Sequence, residues 1–137
     1  MECVLVMKRF LTALLMAVPL LAGAQAQYRE YPLASGAVTT SGAGSNVDTQ
    51  AQAQTFYTSA MRVFINCTAV TGTSPSATFT LQGIVSGVAY NIASGVAITA
   101  AGQQTFVATD IPSVVRLSWT VAGTTPSFTC TASGVRQ

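Results

Sequence analysis

The side chains that usually carry chemistry are few in this sequence, and one type is missing. The chain of 137 residues has no histidine. That removes the Ser-His-Asp triad, the Cys-His dyad and the His-ligated zinc site as usually built. Of three cysteines, Cys3 lies before or within a targeting-like segment, which leaves Cys67 and Cys130. An even pair in an exported chain suggests a disulfide. Both occupy the apolar parity of their strands, so two facing strands bring their Cα atoms within bridging distance. The alternative is two separately buried free thiols. A catalytic cysteine is not expected, because no imidazole exists to activate it and burial in a strand core disfavours the thiolate.

The carboxylates are as sparse. Glycoside hydrolysis needs two of them held across a sugar ring. Beyond the targeting-like segment only Glu30, Asp48 and Asp110 remain, each in loop-like or terminal sequence. Turn capping is the expected role of Asp48 and Asp110. Asn66-Cys67-Thr68 fits the glycosylation acceptor pattern, but the bacterial-looking leader and the central cysteine argue against its use. Arg116, on the polar side of a strand, is expected to be solvated or paired. No catalytic, cofactor-binding or metal-ligating residue is assigned, no cofactor is expected, and the reading is that of a non-enzyme.

The elements that carry these residues begin with a leader. Met7-Lys8-Arg9-Phe10 precede the apolar run 11–21, and the small-residue patterns Ala22-Gly23-Ala24 and Ala24-Gln25-Ala26 follow. This is the layout of a secretory signal peptide, with Gln27 as the first mature residue. Pro19 interrupts the apolar run, which is too short for a span of about 20 residues. The expected organisation is a signal-like segment over 1–26 and one domain over 27–137, with no stable membrane insertion after cleavage. The expected location is the periplasm, the cell surface or the medium.

Composition restricts the domain further. Half of all residues are hydrophobic and 7% are charged, with a mean hydropathy of +0.48. After Gln27, four arginines stand against three carboxylates, without a lysine. No basic stripe is left to neutralise phosphates, so nucleic acid is not an expected partner. Solubility falls to hydroxyls and amides. Thr favours strands and Ser favours turns.

Alternation of apolar and polar residues then marks strands. A short one is expected around Ala34–Thr40, followed by a loop. Met61, Val63, Ile65, Cys67 and Ala69 fall on one face of the next, and Ala77, Phe79 and Leu81 on one face of another. The turn-rich run Thr71–Ser76 between them suggests a hairpin. Shorter candidates lie at Val88–Ile92, Val96–Ala100 and Thr105–Thr109. The final pair is Val114–Val121 and Ser127–Val135. Seven or eight short strands at this spacing imply a sandwich or a small barrel. The expected fold is all-β, a single antiparallel β-sandwich (Ig-like or jelly-roll-like) behind an N-terminal signal-like hydrophobic helix. Trp119, Phe79, Phe106, Phe128 and Leu117 are its expected core anchors.

An internal echo links the two hairpins. Val70-Thr71-Gly72-Thr73-Ser74-Pro75-Ser76 matches Val121-Ala122-Gly123-Thr124-Thr125-Pro126-Ser127. With these runs aligned, Cys67 falls against Ser118 and not Trp119, so the strands leading in differ in apolar register by one residue, which calls for a bulge or a separate origin of the two hairpins. Both runs are expected to be turns. If they share one end of the domain they form a hydroxyl-rich tip, with Thr73, Ser74, Pro75, Thr124, Thr125 and Pro126 as candidate partner contacts.

Residues 114–129, with Thr68–Ser76 and Ser41–Thr49, resemble small β-sandwich proteins of tailed phages and prophages. Those proteins are accessory virion components, head-decoration or fibre-like, so the resemblance implies assembly or surface binding. It carries over no functional residue. A protein partner is expected, whether a capsid, tail or cell-surface component, or else self-association. The exported leader keeps a second reading open, a bacterial surface or adhesive module that polymerises through unpaired strand edges. A third, a secreted enzyme or small-molecule carrier, needs a pocket of converging polar groups for which the sequence supplies no reactive cluster.

Overall fold

Strict alternation of side chains across a strand buries one face and exposes the other. The run from Met61 to Cys67 does this residue by residue, with Met61, Val63, Ile65 and Cys67 buried and Arg62, Phe64 and Asn66 outside. The computed structural model describes residues 29–49 and 60–137. The expected signal-like helix and its cleavage point lie outside the described residues.

Among the described residues seven strands form one antiparallel sheet: β1 (Glu30–Val38), β2 (Gly42–Ala43), β3 (Val47–Asp48), β4 (Met61–Val85), β5 (Val88–Ser94), β6 (Gly102–Ala108) and β7 (Val114–Arg136). The all-β antiparallel expectation holds. The central pair, β4 and β7, is hydrogen-bonded from Met61↔Arg136 to Ile84↔Val114. β1, β2 and β3 follow one another down the free side of β7, from Glu30↔Val135 to Asp48↔Val114. β5, the bridge Ile98↔Ala77 and β6 run likewise down the free side of β4. The sheet is therefore four long antiparallel passes, residues 30–48, 114–136, 61–85 and 88–108 from side to side.

Two expected hairpins are corrected here. Thr71–Ser76 and its echo are not turns; each lies inside one continuous strand, so the strands expected on either side of it are collinear. The reason is that each run finds the other opposite it, at Thr71↔Ser127, Thr73↔Thr124 and Ser76↔Ala122, and the ladder continues through. Val96–Ala100 is also not a strand, contributing only the single bridge at Ile98. The true hairpin turn is at Ser86-Gly87, both with positive φ, between β4 and β5.

The four passes are doubled over at their middle. Leu33 belongs to the part of β1 paired near Ala132, whereas the Gly44 amide donates to the Leu117 carbonyl at 2.8 Å. Yet a Cβ placed on Gly44 would lie 2.7 Å from the Leu33 carbonyl oxygen. On the other side Gln104 faces Ile65 across the ladder while the Gly95 amide donates to the Phe79 carbonyl, and still a Cβ placed on Gly95 would run into Gln104 Oε1. In a flat sheet these positions stand tens of ångströms apart, at about 3.3 Å per residue. Doubling brings the inner faces of both halves together. Met61, Val63, Ile65, Cys67, Phe128 and Cys130 from one half join Ala77, Phe79, Leu81, Val115 and Leu117 from the other in a single core cluster. Phe79, Phe128 and Leu117 are fully buried as expected, while Trp119 and Phe106 pack at its margin.

Candidate functional site

Three features are positioned by this folded sheet, and the first is its waist. The two echo runs face one another antiparallel around Thr73↔Thr124, and their irregularities are reciprocal. Gly72 opposes Thr125 and Pro126; Gly123 opposes Ser74 and Pro75. Both glycines have φ near +115 (117 and 113), and Ser74 and Thr125 adopt the left-handed region at 48 and 46. A Cβ on Gly72 would meet the Thr125 carbonyl oxygen at 2.8 Å, and one on Gly123 the Ser74 carbonyl oxygen at 2.6 Å. Only glycine permits such an approach at such a φ. The waist is thus a local two-fold, with Val70 and Val121 leading in from the core margin. The register difference between the incoming strands is absorbed at Thr68, an extra residue between Cys67↔Cys130 and Ala69↔Thr129, so of the two explanations the ladder carries the bulge. Thr73, Ser74, Thr124 and Thr125 are exposed side by side, with Pro75 and Pro126 half-buried behind them. The six candidate contact residues are brought together, at a crease in the sheet.

The second feature is the cysteine pair. Cys67 and Cys130 occupy directly opposed positions on β4 and β7 and are disulfide-bonded, with Cα atoms 4.0 Å apart. Both are buried. The expected geometry was two facing strands; the bridge instead joins neighbours within one sheet, because both strands turn the same parity inward.

The third is a trough on the outer face of the half made by β1, the C-terminal part of β7, the N-terminal part of β4 and β6. It encloses about 520 Å³. Its floor is built in cross-strand rows. Pro32, Ser133, Phe64 and Thr105 form one; Ser35, Thr131, Asn66 and Gln103 form the next. Phe64, 40% exposed, is on the central strand with a hydroxyl on either side. Among the described residues Glu30 is the only ionisable side chain lining the trough. Sequence reading did not find it, since the outward residues of four separate strands become one surface only through their pairing.

The opposite outer face carries a hydrogen-bonded ladder. Arg116 Nε donates to Gln82 Oε1 at 2.8 Å and Gln82 Nε2 to Asn91 Oδ1 at 2.8 Å, beside a Thr80–Ser94 hydroxyl pair at 2.7 Å. Arg116 is paired, as anticipated. Asp110 has a φ of 56 after β6, a turn position that Asp tolerates, and Asp48 is in β3. Among the described residues no group of three His, Cys, Asp or Glu is placed to hold a metal ion, and no helix is long and apolar enough to cross a membrane.

What the fold and these features define is a doubled, disulfide-bonded antiparallel β-module. No protein-family model, curated protein or solved structure matches the chain.

Proposed function

We propose that the chain is an exported, non-enzymatic binding or structural module: a two-layer β-sandwich, made by doubling one sheet, that engages a protein partner or further copies of itself at a cell surface. The observation that carries this reading is the buried Cys67–Cys130 bridge, since disulfides persist in oxidising compartments. The leader-like sequence over 1–26 points the same way. The groups that would otherwise suggest reactivity are already engaged. The thiols hold each other, while Arg116 Nε and Arg136 Nη2 donate to Gln82 and to the Ile111 carbonyl. What faces outward is mostly hydroxyl and amide.

A second reading, an accessory virion component of the decoration or fibre-like kind, is favoured by the paired echo runs. They carry part of the resemblance to phage proteins, and they present Thr73, Ser74, Thr124 and Thr125 as one exposed tip. Intact mass of the protein from its native source, with and without reduction, separates the two. A chain starting at Gln27 that gains two hydrogens on reduction supports the exported module. A chain starting at Met1 or Met7 without that gain rejects it in favour of the virion component.

A further inference from the structure

We infer that the trough on the outer face of the β1–β7–β4–β6 half binds a neutral oligosaccharide. The inference rests on the reading of this chain as a binding module and names the ligand class of one surface. A pyranose ring has an apolar C–H face and a rim of hydroxyls. The trough has the complementary layout, an exposed aromatic ring on its central strand with Ser133 and Thr105 on the flanking strands. Aromatic faces accept apolar C–H surface and exclude water from it. One row further along, about 7 Å away at the rise of a strand, Asn66 and Gln103 sit directly opposed on β4 and β6. Each amide offers a donor and an acceptor side by side, which is what adjacent sugar hydroxyls require.

Charge selects against the other polar ligands. Among the described residues no cation lines the trough, Arg62 standing one row beyond Phe64 on the same outer face but outside the lining, and the one ionisable lining group is the carboxylate of Glu30. Phosphates, nucleic acids and acidic sugars would meet that carboxylate with no lining cation to hold them. A vicinal diol can instead donate to that carboxylate. The four strands span about 14 Å at the usual inter-strand spacing, so the ligand is a short oligosaccharide lying across them. The site is prebuilt on paired strands, so little ordering cost opposes a weak polar ligand.

The test uses the oxidised chain as its cell releases it, labelled for amide NMR and titrated with maltotriose, cellotriose and chitotriose, and with sialyllactose as the anionic comparator. The expected result is saturable shifts for at least one neutral trisaccharide, confined to Phe64, Asn66, Gln103, Thr105 and Thr131. Phe64→Ala should weaken that binding about tenfold or more, and Asn66→Ala and Gln103→Ala should weaken it while keeping the wild-type fold. Arg116→Ala, on the opposite outer face, should bind as wild type. The inference is overturned if no neutral trisaccharide saturates, if Phe64→Ala and Asn66→Ala both bind normally, or if sialyllactose is preferred. An oxidised, processed chain that binds no trisaccharide ends this inference and leaves the module reading standing. A reduced, unprocessed chain that binds one does the opposite.

Discussion

Cys67 and Cys130 are 63 positions apart in sequence and face each other in the ladder. Their bond removes a long loop from the unfolded ensemble, worth about 4 kcal/mol in the loop-entropy model. Reduction, or the double change Cys67→Ala with Cys130→Ala, should lower the unfolding free energy from urea titrations by that amount, with a larger m-value because the unfolded chain is no longer cross-linked. The pair was legible because both residues share the apolar parity of their strands. Thr49 was not legible. Among the described residues it is the one fully buried polar residue, its Oγ1 donating to the Ser113 carbonyl at 3.0 Å while its own carbonyl accepts from Tyr31 Oη at 3.0 Å. Nothing in a threonine at the end of a Gly-Ser-rich stretch announces burial. Tyr31→Phe leaves that carbonyl without its partner and should cost about 1–3 kcal/mol by chemical denaturation.

At the scale of the element, the waist shows why a turn signature misleads. Gly-Thr-x-Pro punctuation reads as a loop between two strands. Here each copy lies opposite the other, so the ladder passes through and the punctuation bends the strands without ending them. The pattern of one run contains no information about which segment will oppose it. Because the two glycines have equivalent surroundings, Gly72→Ala and Gly123→Ala should destabilise to a similar degree, by about 2 kcal/mol or more, through unfavourable φ and a clash with backbone. Gly87→Ala, at a φ of 79 but with open space around its Cβ, should cost only about 1 kcal/mol. Unequal losses at Gly72 and Gly123 in denaturant titrations would remove the local two-fold from the account.

For the whole molecule, doubling means that neither half has a core of its own. Phe79 belongs to one half and Phe128 to the other, and both are fully buried in the same cluster. Truncating either to Ala should cost about 3–5 kcal/mol. Unfolding should be one transition, with Trp119 fluorescence and hydrogen exchange in β1 and β6 giving the same midpoint. Separate midpoints would mean that the halves are independent. The contacts that make the fold join distant parts of the chain, as the pairing of residues 30–48 with 114–136 shows. Refolding of the reduced chain, followed by stopped flow, should therefore take milliseconds to seconds.

The strand character of the echo runs, expected as turns, the lack of a strand at Val96–Ala100 and the short β2 and β3 were not legible in the sequence. The sequence by itself determined most other strand residues, the inward parity of Met61–Cys67 and Ala77–Leu81, and the lack of histidine-based chemistry. These follow from local alternation and composition, which each segment carries alone. Only the tertiary structure decided that the echo runs face each other, that four long passes fold over on themselves, and that Phe64, Asn66, Gln103 and Thr105 share one trough. Those outcomes depend on which strand lies beside which, and pairing between distant segments is settled by the burial of a common core and not by any residue's own preference.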